Sequence, residues 1–221
     1  MHLLKNVLLY CFNMGLKVAL FSGGKDSIYS ALINWPVDLF VTFEYDFLGT
    51  PSPHLVNLKK SIELAGALSV PIALLKVHKG SAMKEQVEFF RKIGVSKIIA
   101  GDQGVKDHLD YFATVAEQSG ADLEEPIWGA EPAELLKKET SVLSFIIIGV
   151  KKGLEELLCK KINRKNVDSF LKISAQMGIN PIGEAGEFHT LVYRISDSDV
   201  YLKFKCKKKI NAGDYKIAFL E

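Results

Sequence analysis

The sequence predicts an α/β protein: a parallel sheet covered on both faces by helices, followed by a smaller α+β domain. Three observations carry this expectation. Short apolar, β-branched runs alternate with segments of helical periodicity through the first half of the chain. That alternation implies parallel strands joined by helical crossovers. The rhythm weakens after about residue 125, and a glycine-rich turn sits at the first strand-to-helix junction.

The elements follow in order. "KVALF" is the first strand, and "DSIYSALIN" places Ile28, Ala31 and Leu32 at helical spacing. "DLFVTF" is a second buried strand. Leu55, Leu58, Ile62, Ala65 and Leu68 then recur at steps of three and four, one amphipathic helix closed by Pro71. "IALLKV", the segment from Met83 to Ile93, and "SKIIAG" read as strand, helix and strand. Leu109, Phe112 and Ala116 mark the next helix. Beyond it, "EPIWGAEPAELLKK" is a turn and a helix, with Trp128 as a packing anchor between the domains, and "SFIIIGV" is a buried strand. A helix from Asn166 stops at Gly178. "HTLVYRI" and "VYLKFKCKKK" are strand-like; in the latter Val200, Leu202, Phe204 and Cys206 face one way and Tyr201, Lys203, Lys205 and Lys207 the other. The lysines therefore read first as a solvated strand face. The domains fall at residues 1–124 and 125–221.

Composition narrows the classes. Of 221 residues, 48% are hydrophobic and 24% charged, enough for an independent core. The net charge is only +2, which offers little general attraction for nucleic acid or a membrane surface. Cys11, Cys159 and Cys206 are far apart and odd in number, so no disulfide framework or CxxC motif is expected, in keeping with a reducing cytoplasm. "MHLLKNVLLYCFN" has a short apolar run but no cleavage site, and reads as an extension upstream of a natural start at Met14. No stretch reaches the roughly 20 apolar residues of a membrane span.

Ser22-Gly23-Gly24-Lys25-Asp26-Ser27 lies where the first strand hands over to a helix. Free backbone amides and the positive end of the helix dipole converge there, so the turn suits a phosphate. Gly23 and Gly24 permit close approach of an anion. Lys25 adds a positive charge, and Ser22 and Ser27 add hydroxyls. A Walker loop requires Ser or Thr after the lysine; here Asp26 stands instead, able to place Mg²⁺ or to cap the helix.

The second conspicuous stretch is "NPIGEAGEFHTLVY". Glu184 and Glu187 each follow a glycine just ahead of a strand, with His189 and Thr190 behind them. Two carboxylates that close suit Mg²⁺ coordination, an ammonium ion, or acceptance of its proton. Asp102 follows the fourth strand at the sheet's carboxyl edge, where such folds place ligand groups or begin a helix. His54 begins a helix and reads as structural.

SGGKDS matches SGGxDS, the PP-loop signature of N-type ATP pyrophosphatases. Together with Gly183-Glu184-Ala185-Gly186-Glu187-Phe188-His189-Thr190, the chain resembles the diphthine–ammonia ligase family, whose second motif is GE-x-GE-[FY]-HT. "HLVNLKKSIELAGALSVPI", "EPIWGAEPAELLKKE" and "GLEELLCKKI" add looser echoes. The resemblance implies a Rossmann-like, adenine nucleotide alpha hydrolase-like domain that binds ATP with Mg²⁺. It implies adenylation of the diphthine carboxylate of translation elongation factor 2, followed by amidation with ammonia and release of AMP. It also implies roles for particular residues: Ser22, Gly23, Gly24, Lys25, Asp26, Ser27 and Asp102 for ATP; Lys25, Asp26, Glu184, Glu187 and His189 for catalysis; Asp26 and Glu187 for the metal. A cytoplasmic location fits this reading, and a homodimer is compatible with it.

The chain also departs from the family. "AGDQGVKDHLDYF" stands where the family has Ser-x-Tyr-Gln and an arginine, Ala185 replaces a frequent asparagine, and Cys159-Lys160 replace an arginine stretch. A divergent paralogue is one reading of these changes. Two other readings stay open on the residues: a PP-loop enzyme acting on tRNA, and an ATP-binding regulator without turnover.

Overall fold

A computed structural model describes residues 15–46, 49 and 51–221. The suggested upstream extension lies outside these residues. β1 (Leu16–Leu20) buries Val18 and Ala19, and α1 (Lys25–Ile33) follows a Gly24 N-cap with Ile28, Ser30 and Ala31 inward. β2 (Leu39–Tyr45) comes next. The single helix expected across Leu55 to Leu68 is instead two: α2 (Pro53–Val56) and α3 (Leu58–Ala67). The break is at Asn57, which is almost fully buried. Its amide donates to Pro53 O and Ala218 O at 2.9 Å each and accepts from Leu220 N at 2.9 Å. A buried amide that must satisfy distant backbone overrides local helical continuity. The inward face of α3 is Ser61, Leu64 and Ala65, while Ile62 is 47% exposed.

β3 (Ile72–Val77), α4 (Ala82–Ile93), β4 (Val95–Ile99), α5 (Lys106–Ser119) and β5 (Asp122–Glu124) complete the first sheet. Its order is β3-β2-β1-β4-β5 and every pair is parallel, a Rossmann-like arrangement. The strand order reverses at β1, so the loops after β1 and β4 diverge and leave a crevice between them.

The second half builds an antiparallel sheet. α6 (Pro132–Val142) starts with Glu131 as N-cap, its carboxylate accepting from the Ala133 and Glu134 amides. β6 (Leu143–Lys151), β7 (Lys161–Ile162), α7 (Val167–Met177), β8 (Phe188–Ile195), β9 (Cys206–Ala212) and β10 (Tyr215–Leu220) follow. The order is β7-β6-β10-β9, with β8 paired to β6. The lysine-rich strand expected from Val200 begins only at Cys206, with Tyr201 forming a lone bridge to Arg194. Val200 and Leu202 are buried as expected, but Cys206 is exposed. The cysteine reading also needs correcting: Cys159 and Cys206 form a disulfide with Cα atoms 6.7 Å apart. The fold of the second sheet joins positions 47 residues apart, which spacing along the chain could not show.

One apolar cluster runs from Ala19, Phe21 and Ile28 through Leu136 and Phe145 to Leu191, so the two sheets share a core. A second cluster of Val18, Val41, Phe90, Ile98 and Val115 lies beneath α4 and α5. Trp128, expected as the anchor between the halves, is 36% exposed, and Ile127 is the buried neighbour instead. Because the main core is common property, Phe145→Ala should cost about 3–5 kcal/mol. Denaturant unfolding followed by circular dichroism should still show one transition, with both sheets lost together.

Candidate functional site

The Ser22–Ser27 turn is shaped by contacts from both halves. Gly23 has φ +77°, and a Cβ there would lie 2.6 Å from Ser61 Oγ, so glycine is required. Val192 N donates to Gly23 O at 2.9 Å and Lys25 N to Thr190 Oγ1 at 3.1 Å, fastening the turn to β8. Within the turn, Gly24 N donates to Ser22 Oγ at 3.2 Å, and Ser27 Oγ donates to Gly24 O at 3.0 Å. The Asp26 and Ser27 amides fall in the first helical turn, where no intrahelical acceptor is available.

Ser22, Gly24, Asp26 and Ser27 line a cavity of about 540 Å³ at the strand-order reversal. Thr42, Phe43 and Tyr45 line it from β2, His54 and Leu55 from α2, and Gly101, Asp102 and His108 from beyond β4. The second motif supplies Gly183, Glu184, Gly186, Phe188, His189 and Thr190. The two sequence motifs therefore meet on one space. A helix N-terminus, a glycine turn and two serine hydroxyls fit a polyphosphate.

Lys25 is placed otherwise than expected. Its side chain is fully buried and is not among the cavity-lining residues. The ammonium donates to Asp26 Oδ1 and lies 3.3 Å from Oε2 of Glu139, which is fully buried on α6. Burial disfavours the charge on Lys25, but Asp26 and Glu139 outweigh it and raise its pKa. Burial pushes Glu139 well up, against the pull of Lys25.

The second motif is a turn that needs its glycines. Gly183 and Gly186 have φ of +78° and +75°, and a Cβ on Gly186 would meet Tyr215 Oη at 2.8 Å. That hydroxyl donates to Gly186 O at 2.7 Å. Glu184 reaches across the cavity mouth, its Oε1 accepting from the Gln103 and Gly104 amides at 3.2 and 3.0 Å. Glu187 does not line the cavity; its Oε1 accepts from Asn180 N at 3.0 Å. His189 and His54 meet edge to face at 5.2 Å. Burial lowers His54 to about 4 and His189 to about 3, the latter helped by His54 and Lys151. Both rings are neutral at physiological pH.

Asp102 lies on the cavity wall with Oδ1 3.0 Å from His108 Nδ1, a contact that raises the His108 pKa. Sequence reasoning missed Glu125 beside it. Glu125 Oε2 accepts from Asp102 N at 3.1 Å, and burial, then the Asp102 charge, raises its carboxyl to about 7. The available signal was a carboxylate directly after a strand's carboxyl end. The expected metal pair is not brought together, since Asp26 faces the cavity and Glu187 does not. Among the described residues no cluster of three or more His, Cys, Asp or Glu could hold a metal. A Mg²⁺ ion here would be held by Asp26 and by phosphate oxygens, a mode natural to that ion.

Residues 15–123 match the diphthamide synthase N-terminal domain and residues 131–215 the diphthamide synthase C-terminal domain. The chain belongs to the diphthamide synthase family. This is an ATP-utilising PP-loop family. No curated protein matches the sequence. A solved structure described as a predicted subunit of tRNA methyltransferase from Methanocaldococcus jannaschii is similar over 82% of this chain and 98% of its own, at 16% identity and a TM-score of 0.45. Within the diphthamide synthase match, Glu125 falls in the short joint between the two matched domains. Among the described residues, no helix is long and apolar enough to cross a membrane.

The raised carboxyl at Glu125 has a signed consequence. A group whose folded pKa of about 7 exceeds its unfolded value makes the native state hold the extra proton between the two, so stability falls as pH rises through that window. Glu125→Gln removes this loss. The melting temperature of the variant relative to the natural protein should therefore rise from pH 5 to pH 8, as read by differential scanning fluorimetry at both ends.

Proposed function

We propose that the chain is an ATP-dependent amide ligase that activates a carboxylate at the α-phosphate of ATP and amidates it with ammonia. The family points to the diphthine carboxylate of translation elongation factor 2 as the acceptor. The observation that carries this reading is the convergence of the PP-loop and the GEAGEFHT motif on one cavity.

The residues divide the work by chemistry. The first-turn amides of α1 and the hydroxyls of Ser22 and Ser27 bind the pyrophosphate portion of ATP. Asp26 is the cavity carboxylate suited to Mg²⁺, which with ATP would offset the acidic wall. A carboxylate oxygen of the acceptor attacks the α-phosphorus and pyrophosphate leaves. Ammonia then attacks the acyl carbon and AMP leaves. Glu184 and Asp102 line the space with carboxylates, and Glu125 stands beside Asp102. These groups attract an ammonium ion, and a carboxyl titrating near 7 suits acceptance of its proton. The neutral His54 and His189 rings supply polar contacts without adding positive charge that would repel ammonium.

The test is to incubate the protein with ATP, Mg²⁺, ammonium and diphthine-bearing elongation factor 2. Pyrophosphate, AMP and the acid-to-amide mass change should appear together. Their joint absence, beside an active ligase run in parallel, would remove the assignment, and pyrophosphate release with tRNA in place of the factor would favour the tRNA reading. Glu184→Ala should lower turnover by about 10²-fold, measured as initial AMP formation.

A further inference from the structure

We infer that Glu139, on α6 of the second half, is a positioning residue for the phosphate cradle, acting through Lys25 on Asp26. The inference rests on ATP binding at the Ser22–Ser27 turn.

Three facts carry it. First, Lys25 is the cation of the turn, yet its ammonium is fully buried and spends its charge on two carboxylates instead of the cavity. Second, those carboxylates differ in what else they do. Asp26 keeps 28% of its side chain exposed and lines the cavity, whereas Glu139 has none exposed and faces only the Lys25 ammonium and the Asp26 carboxyl among the described charged groups. A fully buried carboxyl is costly unless polar groups face it, so its place depends on those partners. Its Oε2 is 3.3 Å from the Lys25 ammonium, which also donates to Asp26 Oδ1. Third, the backbone of the same turn is already tied to the second half through Thr190 Oγ1 and Val192 N. The Glu139 contact adds a side-chain tie on the inner side of α1.

The arrangement explains why a lysine sits at the x position of SGGxDS in this chain. Glu139 draws the Lys25 ammonium inward, and the ammonium anchors Oδ1 of Asp26 at the cavity wall. Without Glu139, Lys25 loses its reason to stay buried, and Asp26 loses the anchor that sets its direction.

The experiment measures ATP affinity by titration calorimetry in the presence of Mg²⁺, with melting temperature alongside. The variants are Glu139→Gln, Glu139→Asp, Lys25→Met, the Lys25→Met/Glu139→Gln double, and Leu136→Ala as a control. Leu136 is fully buried on the same helix, one turn before Glu139, and is uncharged. Glu139→Gln should weaken ATP by roughly tenfold and Glu139→Asp should recover part of the loss. Leu136→Ala should lower the melting temperature without changing ATP affinity. In the Lys25→Met background, Glu139→Gln should cause no further loss of affinity, because its route of action is gone. The inference is overturned if Glu139→Gln behaves like Leu136→Ala, or if the two single losses multiply in the double. Should Glu139→Gln fail to fold, Glu139→Asp is read against the same control, and unchanged ATP affinity there overturns the inference. Failure of the natural protein to bind ATP would be seen first and would remove the functional reading as well; binding by it with no effect at Glu139 removes the inference alone.

Discussion

An ammonium ion with no water around it must be neutralised by protein, and Lys25 is such an ion. Its neutralisation draws a carboxylate from the loop's own helix and another from α6 in the second half. The pair sits where α6 packs on α1 within the shared core, in which Ile28, Leu136 and Phe145 belong to one cluster. Removing one partner of a buried pair generally costs about 3–5 kcal/mol, because the survivor is left uncompensated. The cradle is therefore not the property of the first sheet alone.

Withdrawal of the lysine leaves the cavity with a distinctive balance. Phosphate attraction falls to backbone amides and the helix dipole, while the walls carry Asp26, Asp102 and Glu184. Such a site favours a polyphosphate that arrives with its own cation. The two buried histidines are kept neutral by desolvation, so they do not disturb that balance. Glu125 is shifted the other way by the same burial and by the charge of its neighbour.

Much of this was readable in the residues. Period-two and helical patterns located β1 to β4 and α4 to α7 within a few positions, and glycine spacing located both motifs. What failed was set from a distance. The helix break at Asn57 depends on β10 carbonyl and amide groups 161 and 163 residues away. The disulfide partner of Cys159 comes from β9. Trp128 yielded the buried place to Ile127 because the choice depended on which side of the turn met the core.

The sequence by itself determined the parallel-sheet class, the glycine turn and the acidic second motif, because each is written in a local residue pattern: the alternation of strand and helix periods, or glycines and charges a few residues apart. Only the tertiary structure decided that Glu184 faces the cavity while Glu187 secures its own loop. It also decided that Lys25 turns inward to Glu139. Side-chain direction there is set by the cost of leaving a buried charge unpaired, and the partner that meets that cost is chosen by the fold.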